Sequence, residues 1–394
     1  MSARPVTFLL NGQPVRLDPD PGLLLIDVLR RDLGLTGTKE GCDRCGECWT
    51  CAVQVDGKAA LSCLLPVEKV EGCSVTTIEG VGSPGAPHPV QKALLECGAV
   101  QCGFCIPGIV MTAKALLDAN PHPTRKDVVR RLSRNLCRCT GYHRIVEGVL
   151  RVAQPTQPAA APKRDPAPVV GESVLRPDGL NKVLGRTRFA SDLRRPGMLF
   201  AAALRSPFPH AEIETLDVAE ARRSFGVRAV LTARDVPGAL RYGSIRQDEP
   251  VLAEGRVRFI GEPVAVVAAE SEGAARAALE AIRVRYRPLA HVFDAQQALS
   301  GEAAVAVDEV YHTPFIEHAY LEPEAGLALV ASDGTIEVHS CTQQPHGLRP
   351  PVAQVLGVPP ERVRSASSRR PWAALLEGNR AWRRRGFSRC WPSG

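Results

Sequence analysis

The chain opens on two short runs, Val6–Leu10 and Pro14–Leu17, in which apolar and polar positions alternate around Asn11-Gly12. Alternation sends successive side chains to opposite faces of a strand, and Asn-Gly is a favoured two-residue hairpin turn. The pattern predicts a β-hairpin over residues 6–17. From Leu23 to Leu33 the apolar positions recur at helical spacing, and Gly34 stands where a helix would stop. A loop rich in glycine and cysteine follows. Strand-like runs return at Ala52–Val55 and again up to Cys63, on either side of Asp56-Gly57. These elements suit a compact β-grasp-like unit over residues 1–80.

The period then changes. Helices are expected over Pro89–Cys97, Pro107–Ala119, Arg125–Leu136 and Tyr142–Val152, the first two opening on proline, which suits a first turn. This makes a helical unit over 81–153. Proline and alanine dominate residues 154–168, which read as an extended linker reaching to 174. Beyond it the pattern is mixed. Ala229–Leu231 and Pro263–Ala269 read as buried strands. Glu272–Val284 reads as an alanine-rich amphipathic helix running into a strand that ends at Tyr286. Strands near Leu327–Val330 and Ile336–His339 are joined by Asp333-Gly334.

With 394 residues, 44% hydrophobic and 23% charged, the chain can bury several cores and is neither disordered nor collagen-like. No stretch approaches the roughly 20 apolar residues of a membrane helix. The first apolar run is too short for an export signal. A cytoplasmic protein with no membrane partner is therefore expected. The net charge of +7 would raise nucleic acid as a partner. Residues 365–394, however, hold seven arginines against one glutamate, and three of the four tryptophans. The rest of the chain is close to neutral, and nucleic acid is not expected as a partner.

Eleven of the 13 cysteines precede residue 140. Without an export signal, such crowding reads as metal binding before disulfides. Cys48-x2-Cys51-x11-Cys63 with another cysteine upstream is the plant-ferredoxin arrangement, in which four thiolates hold two irons. The usual upstream spacing is Cys-x4-Cys. Here Cys42 and Cys48 are separated by five residues, with Cys45 between them. Either Cys42 remains the ligand and the loop bulges by one residue, or Cys45 takes over; Cys42 is favoured. A four-cysteine zinc site is the rival reading. The second group is Cys102-x2-Cys105, before one expected helix, and Cys137-x-Cys139, after another. Two helix ends can present four thiols to a second 2Fe-2S cluster. Cys73, Cys97 and Cys341 read as ordinary thiols.

These residues resemble a known family. Gln101-Cys-Gly-Phe-Cys-Ile-Pro-Gly108 and Asn135-Leu-Cys-Arg-Cys-Thr-Gly-Tyr142 are similar to the iron–sulfur signatures of the molybdenum hydroxylases, the xanthine dehydrogenase and aldehyde oxidoreductase group. Leu33-Gly-Leu-Thr-Gly-Thr-Lys-Glu-Gly-Cys42 is similar to the signature of their first cluster, although Trp49 stands where the family usually has glycine. The resemblance implies two 2Fe-2S clusters, held by Cys42, Cys48, Cys51 and Cys63 and by Cys102, Cys105, Cys137 and Cys139. It also implies that Gln101 and Cys139 touch the pterin of a molybdopterin cofactor.

Past the linker, residues 184–192, 204–211 and 257–265 resemble the family's α/β hammerhead domain. Residues 317–324 and 342–346 resemble the start of its molybdopterin-binding domain. On residue chemistry alone, His318 and His346 read as structural histidines. The implied fold class is α+β multidomain: a β-grasp 2Fe-2S ferredoxin domain (1–80), a helical 2Fe-2S domain (81–153), a linker (154–174), a hammerhead domain (175–295) and a molybdopterin-binding fragment (296–364). The implied activity is oxidation of an aldehyde or purine-like N-heterocycle with oxygen from water. No FAD domain is recognised, so electrons would pass to an external acceptor or a separate flavoprotein. A stand-alone two-cluster carrier serving a separate molybdenum subunit is the alternative.

The resemblance ends near residue 364. The Gly-Gly-x-Phe-Gly-Gly loop expected next, and a distal glutamate base, are absent, so no catalytic residue is assigned. For one choice of codons, shifting the frame through Arg370–Asn379 restores Ala-Val-Gly-Gly-Ala-Phe-Gly-Gly-Lys. Residues 365–394 are thus expected to be read out of frame. Resequencing the gene across codon 364 should reveal the shifted loop; an intact frame that encodes no such loop overturns this reading.

Overall fold

The computed structural model describes residues 5–20, 22–154, 175–243, 246–293, 321–342 and 344–367. Strands β1 (Val6–Leu10) and β2 (Gln13–Leu17) form the expected hairpin, in register from Val6 opposite Leu17 to Leu10 opposite Gln13. Asn11 and Gly12 both take positive φ, as a type I′ turn requires. Val6, Phe8 and Leu10 face inward and are buried. Helix α1 (Leu25–Asp27) differs from the helix expected over 23–33. It passes at once into a wider π turn, Val28–Asp32, where the Leu33 N–H reaches the Val28 carbonyl. Leu25, Val28 and Leu29 all join the core of this unit. Each such burial contributes about 1.5–3 kcal/mol.

Strands β3 (Ala52–Val55) and β4 (Lys58–Leu61) make a second hairpin, and β5 (Ser74–Thr76) lies between the two. The sheet order is β2-β1-β5-β3-β4, with β5 parallel to β1 and antiparallel to β3. This is the β-grasp arrangement the pattern predicts.

Four helices follow: α2 (Pro89–Glu96), α3 (Ile106–Ala119), α4 (Arg125–Leu132) and α5 (His143–Ala153). Thr124 and Asp127 close a capping box at the start of α4. This helix stops four residues before the expected Leu136. The Leu136 N–H is instead donated to the Cys48 carbonyl at 3.0 Å, which draws the chain out of helical geometry. Helix α3 crosses the entry to β3 very closely. A Cβ on Gly108 would lie 2.2 Å from the Trp49 carbonyl oxygen and 3.0 Å from Thr50 Cα.

After the linker, α6 (Gly179–Val183) carries Val183 and Leu184 into the same core as Val90, Leu94, Ile109 and Ile145. Next come β6 (Phe200–Arg205), β7 (Ala211–Asp217), α7 (Ala219–Arg223), β8 (Val227–Thr232), β9 (Arg241–Tyr242), β10 (Glu249–Pro250), β11 (Arg256–Val257), β12 (Pro263–Ala269), α8 (Glu272–Glu280) and β13 (Arg283–Pro288). They build two three-stranded sheets, β6-β12-β8 and β11-β7-β13. Helix α8 ends earlier than expected, because Val284 belongs to β13 and pairs with Leu216 of β7.

The last described unit is β14 (Gly326–Val330), β15 (Ile336–Ser340), α9 (Pro345–Leu356) and β16 (Val363–Ser367). Strand β16 runs parallel to β15 and passes the break expected at residue 364. His346 is exposed in the first turn of α9. Residues 155–174 of the linker, His318 and tail residues 368–394 lie outside the described residues. Among those described, no helix is long and apolar enough to cross a membrane.

The contact at Gly108 yields a test. Both near atoms are backbone, so neither can swing aside, and Gly108→Ala should destabilise the protein by about 1–3 kcal/mol. The expected outcome is a lower thermal midpoint than the parent; an unchanged midpoint would mean that α3 is not pinned there.

Candidate cluster-binding sites

The loop from Lys39 to Cys51 is held in an unusual backbone path. Asp43, Arg44, Gly46 and Trp49 all have positive φ. Arg44 braces it, donating to Glu40 at 2.8 Å and to both Asp27 oxygens at 2.9 and 2.8 Å. The Thr50 hydroxyl donates to the Lys39 carbonyl at 3.2 Å and lies 3.1 Å from Cys48 Sγ. Left-handed residues in such a loop turn successive N–H groups toward one concavity, which suits an anion.

Here the sulfur of Cys42 receives them. Its pKa is lowered to about 5 by the hydrogen bond with the Cys48 thiol, helped by the N–H groups of Cys48, Glu47 and Gly46. The same hydrogen bond, and then burial, pushes Cys48 up. Cys51 and Cys63 form a second pair: Cys51 is lowered by its hydrogen bond with Cys63, and Cys63 is pushed up. The four thiols thus group two and two, with Cys48, Cys51 and Cys63 buried. The Cys45 N–H donates to the Cys42 carbonyl at 3.2 Å, closing a turn between the two candidate ligands.

In the second group, Cys105 is the N-cap of α3 and Cys102 sits just before it, across the left-handed Gly103. Cys137 and Cys139 follow α4. Cys139 Sγ is 3.5 Å from Cys102 Sγ. Cys137 is lowered to about 6, first by its hydrogen bond with Cys105 and then by the Thr140 hydroxyl. Cys139 is lowered to about 7 by its hydrogen bond with Cys102. Cys105 and Cys102 are pushed up by these partners and by burial. The Tyr142 hydroxyl accepts from the Cys137 N–H at 2.8 Å. Gln101, half-buried, precedes Cys102, and its carbonyl accepts from Lys182 Nζ at 2.6 Å.

Two pairs of adjacent thiols fit a two-iron cluster, which takes two thiolates on each iron. A single zinc would gather four sulfurs about one point. Among the described residues no three histidine, cysteine, aspartate or glutamate side chains converge in that way. The two groups adjoin: Leu136 beside Cys137 bonds Cys48, and Asn135 Nδ2 donates to the Trp49 carbonyl at 3.4 Å.

Comparisons with known proteins agree with this geometry. Residues 8–72 match the 2Fe-2S iron-sulfur cluster binding domain and residues 77–150 the 2Fe-2S binding domain. Residues 184–290 match the aldehyde oxidase and xanthine dehydrogenase a/b hammerhead domain, and residues 285–370 the molybdopterin cofactor-binding domain. One of the nicotinate dehydrogenase subunits of Pseudomonas putida is 46% identical over 149 residues, 38% of this chain and 94% of that one. The chain belongs to the molybdenum hydroxylase family.

Another member, the aldehyde oxidoreductase of Megalodesulfovibrio gigas, is 36% identical over 356 residues, 83% of this chain but 38% of that protein. A solved structure of the aldehyde oxidoreductase from Desulfovibrio gigas superposes with a TM-score of 0.83 at 31% identity, covering 91% of this chain and 45% of that one. The chain therefore spans less than half the length of these long relatives. The α+β multidomain fold, with its two 2Fe-2S domains, hammerhead and partial molybdopterin-binding domain, is that of the family.

Four further residues close the sites, and their pairing with one another carries no local sequence signal. Asp192, after the linker, binds Arg30 at 2.8 Å and Lys39 at 2.6 Å. Phe189 meets Phe104 edge to face, with ring centroids 5.0 Å apart. Lys39 and Lys182 are almost wholly buried. Cys73, Cys97 and Cys341 remain isolated from both groups in sequence, and burial raises the pKa of each.

Single substitutions separate the two candidate ligands of the first loop. Cys42→Ala should lower the iron content from about four to about two per chain, whereas Cys45→Ala should leave about four. The reverse result in iron analysis would make Cys45 the ligand.

Proposed function

We propose that the chain is the iron–sulfur and front cofactor-binding part of an enzyme that oxidises an aldehyde or N-heterocycle and delivers electrons to an external acceptor or flavoprotein. The observation that carries this reading is the bond from Leu136 to Cys48. It sets two four-thiol groups side by side in a chain that also bears the hammerhead fold. In this reading Cys42, Cys48, Cys51 and Cys63 hold the first 2Fe-2S cluster. Cys102, Cys105, Cys137 and Cys139 hold the second, with Gln101 and Cys139 toward the pterin. The domains fall at 1–80, 81–153, 175–295 and 296–364, and the protein works in the cytoplasm.

When bound, the molybdenum cofactor supplies two-electron oxidation with oxygen from water, and the clusters supply one-electron carriage. The chain's own residues hold the thiolates and keep water out. Phe104 and Cys105 are buried at the second group, and Cys48, Cys51 and Cys63 at the first. The substrate classes are supported by the names of relatives: an aldehyde oxidoreductase along most of the chain, and part of a nicotinate dehydrogenase along its front.

A second reading has a specific basis. The small FeS subunit of nicotinate dehydrogenase from Eubacterium barkeri, 44% identical, aligns with 36% of this chain and is covered over 88% of its own length. The front of this chain could thus serve a separate molybdenum subunit. The packing of Val183 and Leu184 into the helical core favours the one-chain reading. Metal analysis decides. About four irons with molybdenum and pterin in the purified protein is the expected result; iron alone would favour the carrier, and stoichiometric zinc without iron would end both readings.

A further inference from the structure

We propose that Lys182 is a positioning residue for the second cluster: its buried ammonium group fixes the Cys102 loop and raises the reduction potential of the cluster held there. This rests on the assignment of Cys102, Cys105, Cys137 and Cys139 as cluster ligands.

Lys182 is 1% exposed, although lysine is almost never fully buried without a partner. Its place is built from two sides. Gly103, left-handed at φ 89°, carries no side chain where Lys182 passes. A Cβ there would lie 2.6–2.9 Å from the lysine Cγ, Cδ and Cβ. The glycine between the two cysteines therefore makes the turn and also admits the lysine stem.

At the tip, Nζ donates to the Gln101 carbonyl at 2.6 Å and pairs with Asp178 at 3.0 Å. Asp178 also pairs with Arg176 at 2.6 Å. The ammonium thus bridges a partly buried carboxylate and the backbone just before Cys102. Burial lowers the pKa of Lys182, and its bond with Asp178 opposes that shift.

Reducing a 2Fe-2S cluster by one electron adds one negative charge. A fixed cation in a water-poor site stabilises the reduced form more than the oxidised one. The bond to Gln101 acts together with that charge, holding the residue before Cys102 as outer-sphere partners hold metal ligands. The lysine comes from α6, beyond the linker, whereas all four thiols precede the linker. Docking of the later segment therefore completes the earlier site.

The test is an EPR-monitored redox titration of the purified, cluster-loaded full chain. The parent should give two 2Fe-2S signals. In Lys182→Met the midpoint potential of one signal should fall while the other stays. Asp178→Asn removes the counter-charge but keeps the lysine, so the same signal should shift upward. Opposite shifts of one signal are a signature that mere loosening of the fold does not produce. No shift in Lys182→Met, equal shifts of both signals, or shifts of the same sign in the two variants overturn the inference. If Lys182→Met loses the second signal, Asp178→Asn decides: an upward shift upholds the inference and no shift overturns it. A parent with iron but no second 2Fe-2S signal would overturn the cluster assignment itself.

Discussion

Helix α3 meets the first-cluster loop at a glycine, and the position of both thiol groups follows from that contact. The Trp49 carbonyl lies where a side chain at residue 108 would otherwise stand. The same oxygen accepts from the Ala52 N–H at 3.3 Å and from Asn135 Nδ2 at 3.4 Å. Trp49 sits between Cys48 and Cys51, Cys105 caps α3, and Asn135 is two residues from Cys137. One carbonyl thus touches the backbone that carries cysteines of both groups. A larger residue at 108 would push α3 outward and take Cys105 with it. It would also strain the Leu136 bond to Cys48. Peptide hydrogen bonds contribute only about 0.5–1.5 kcal/mol each, so these contacts set position more than they supply stability.

Buried charge also marks the junction. Asp192 is wholly buried between Arg30 and Lys39 and also accepts from the Phe189 N–H at 2.8 Å. Lys39 Nζ stands 4.9 Å from the centre of the Phe189 ring, and that ring packs on Phe104. Breaking a buried pair of this kind by removing one partner costs about 3–5 kcal/mol, because a charge is left without compensation. A short segment after the linker therefore touches the first loop through charge and the second through an aromatic contact.

Much of this was legible in the sequence, and the limits have physical causes. The hairpin at 6–17 follows from a two-residue period and Asn-Gly, both local. The second thiol group follows from short spacings beside helix ends, also local. Helix α4 was overestimated because its apolar period continues to Leu136, while the backbone N–H of that residue is claimed by Cys48, far away in sequence. The helix expected over 23–33 passes into a π turn, with the Leu33 N–H on the Val28 carbonyl rather than that of Leu29. The apolar period, at i, i+3 and i+4 for Leu25, Val28 and Leu29, carries no sign of that change. In the first loop, spacing alone left Cys42 and Cys45 open. In the fold, the N–H groups of Gly46, Glu47 and Cys48 turn toward the Cys42 sulfur.

The pairing of the buried charges spans the linker and so has no local signal, and their arrangement has a consequence. Arg30 and Lys39 stand in front of the linker and bind Asp192 behind it. Lys182 stands behind the linker and binds the Gln101 carbonyl in front of it. Charges thus cross the junction in both directions. Apolar packing, such as that of Val183 and Leu184, is non-directional and specifies a register less sharply than paired charges do. With crossed charges, any slip strands at least one buried ion, and the penalty for an unpaired buried charge is several kcal/mol. The polar contacts therefore select one docked register from the several that apolar packing alone would allow. That register fixes the distance between α6 and the Cys102 loop.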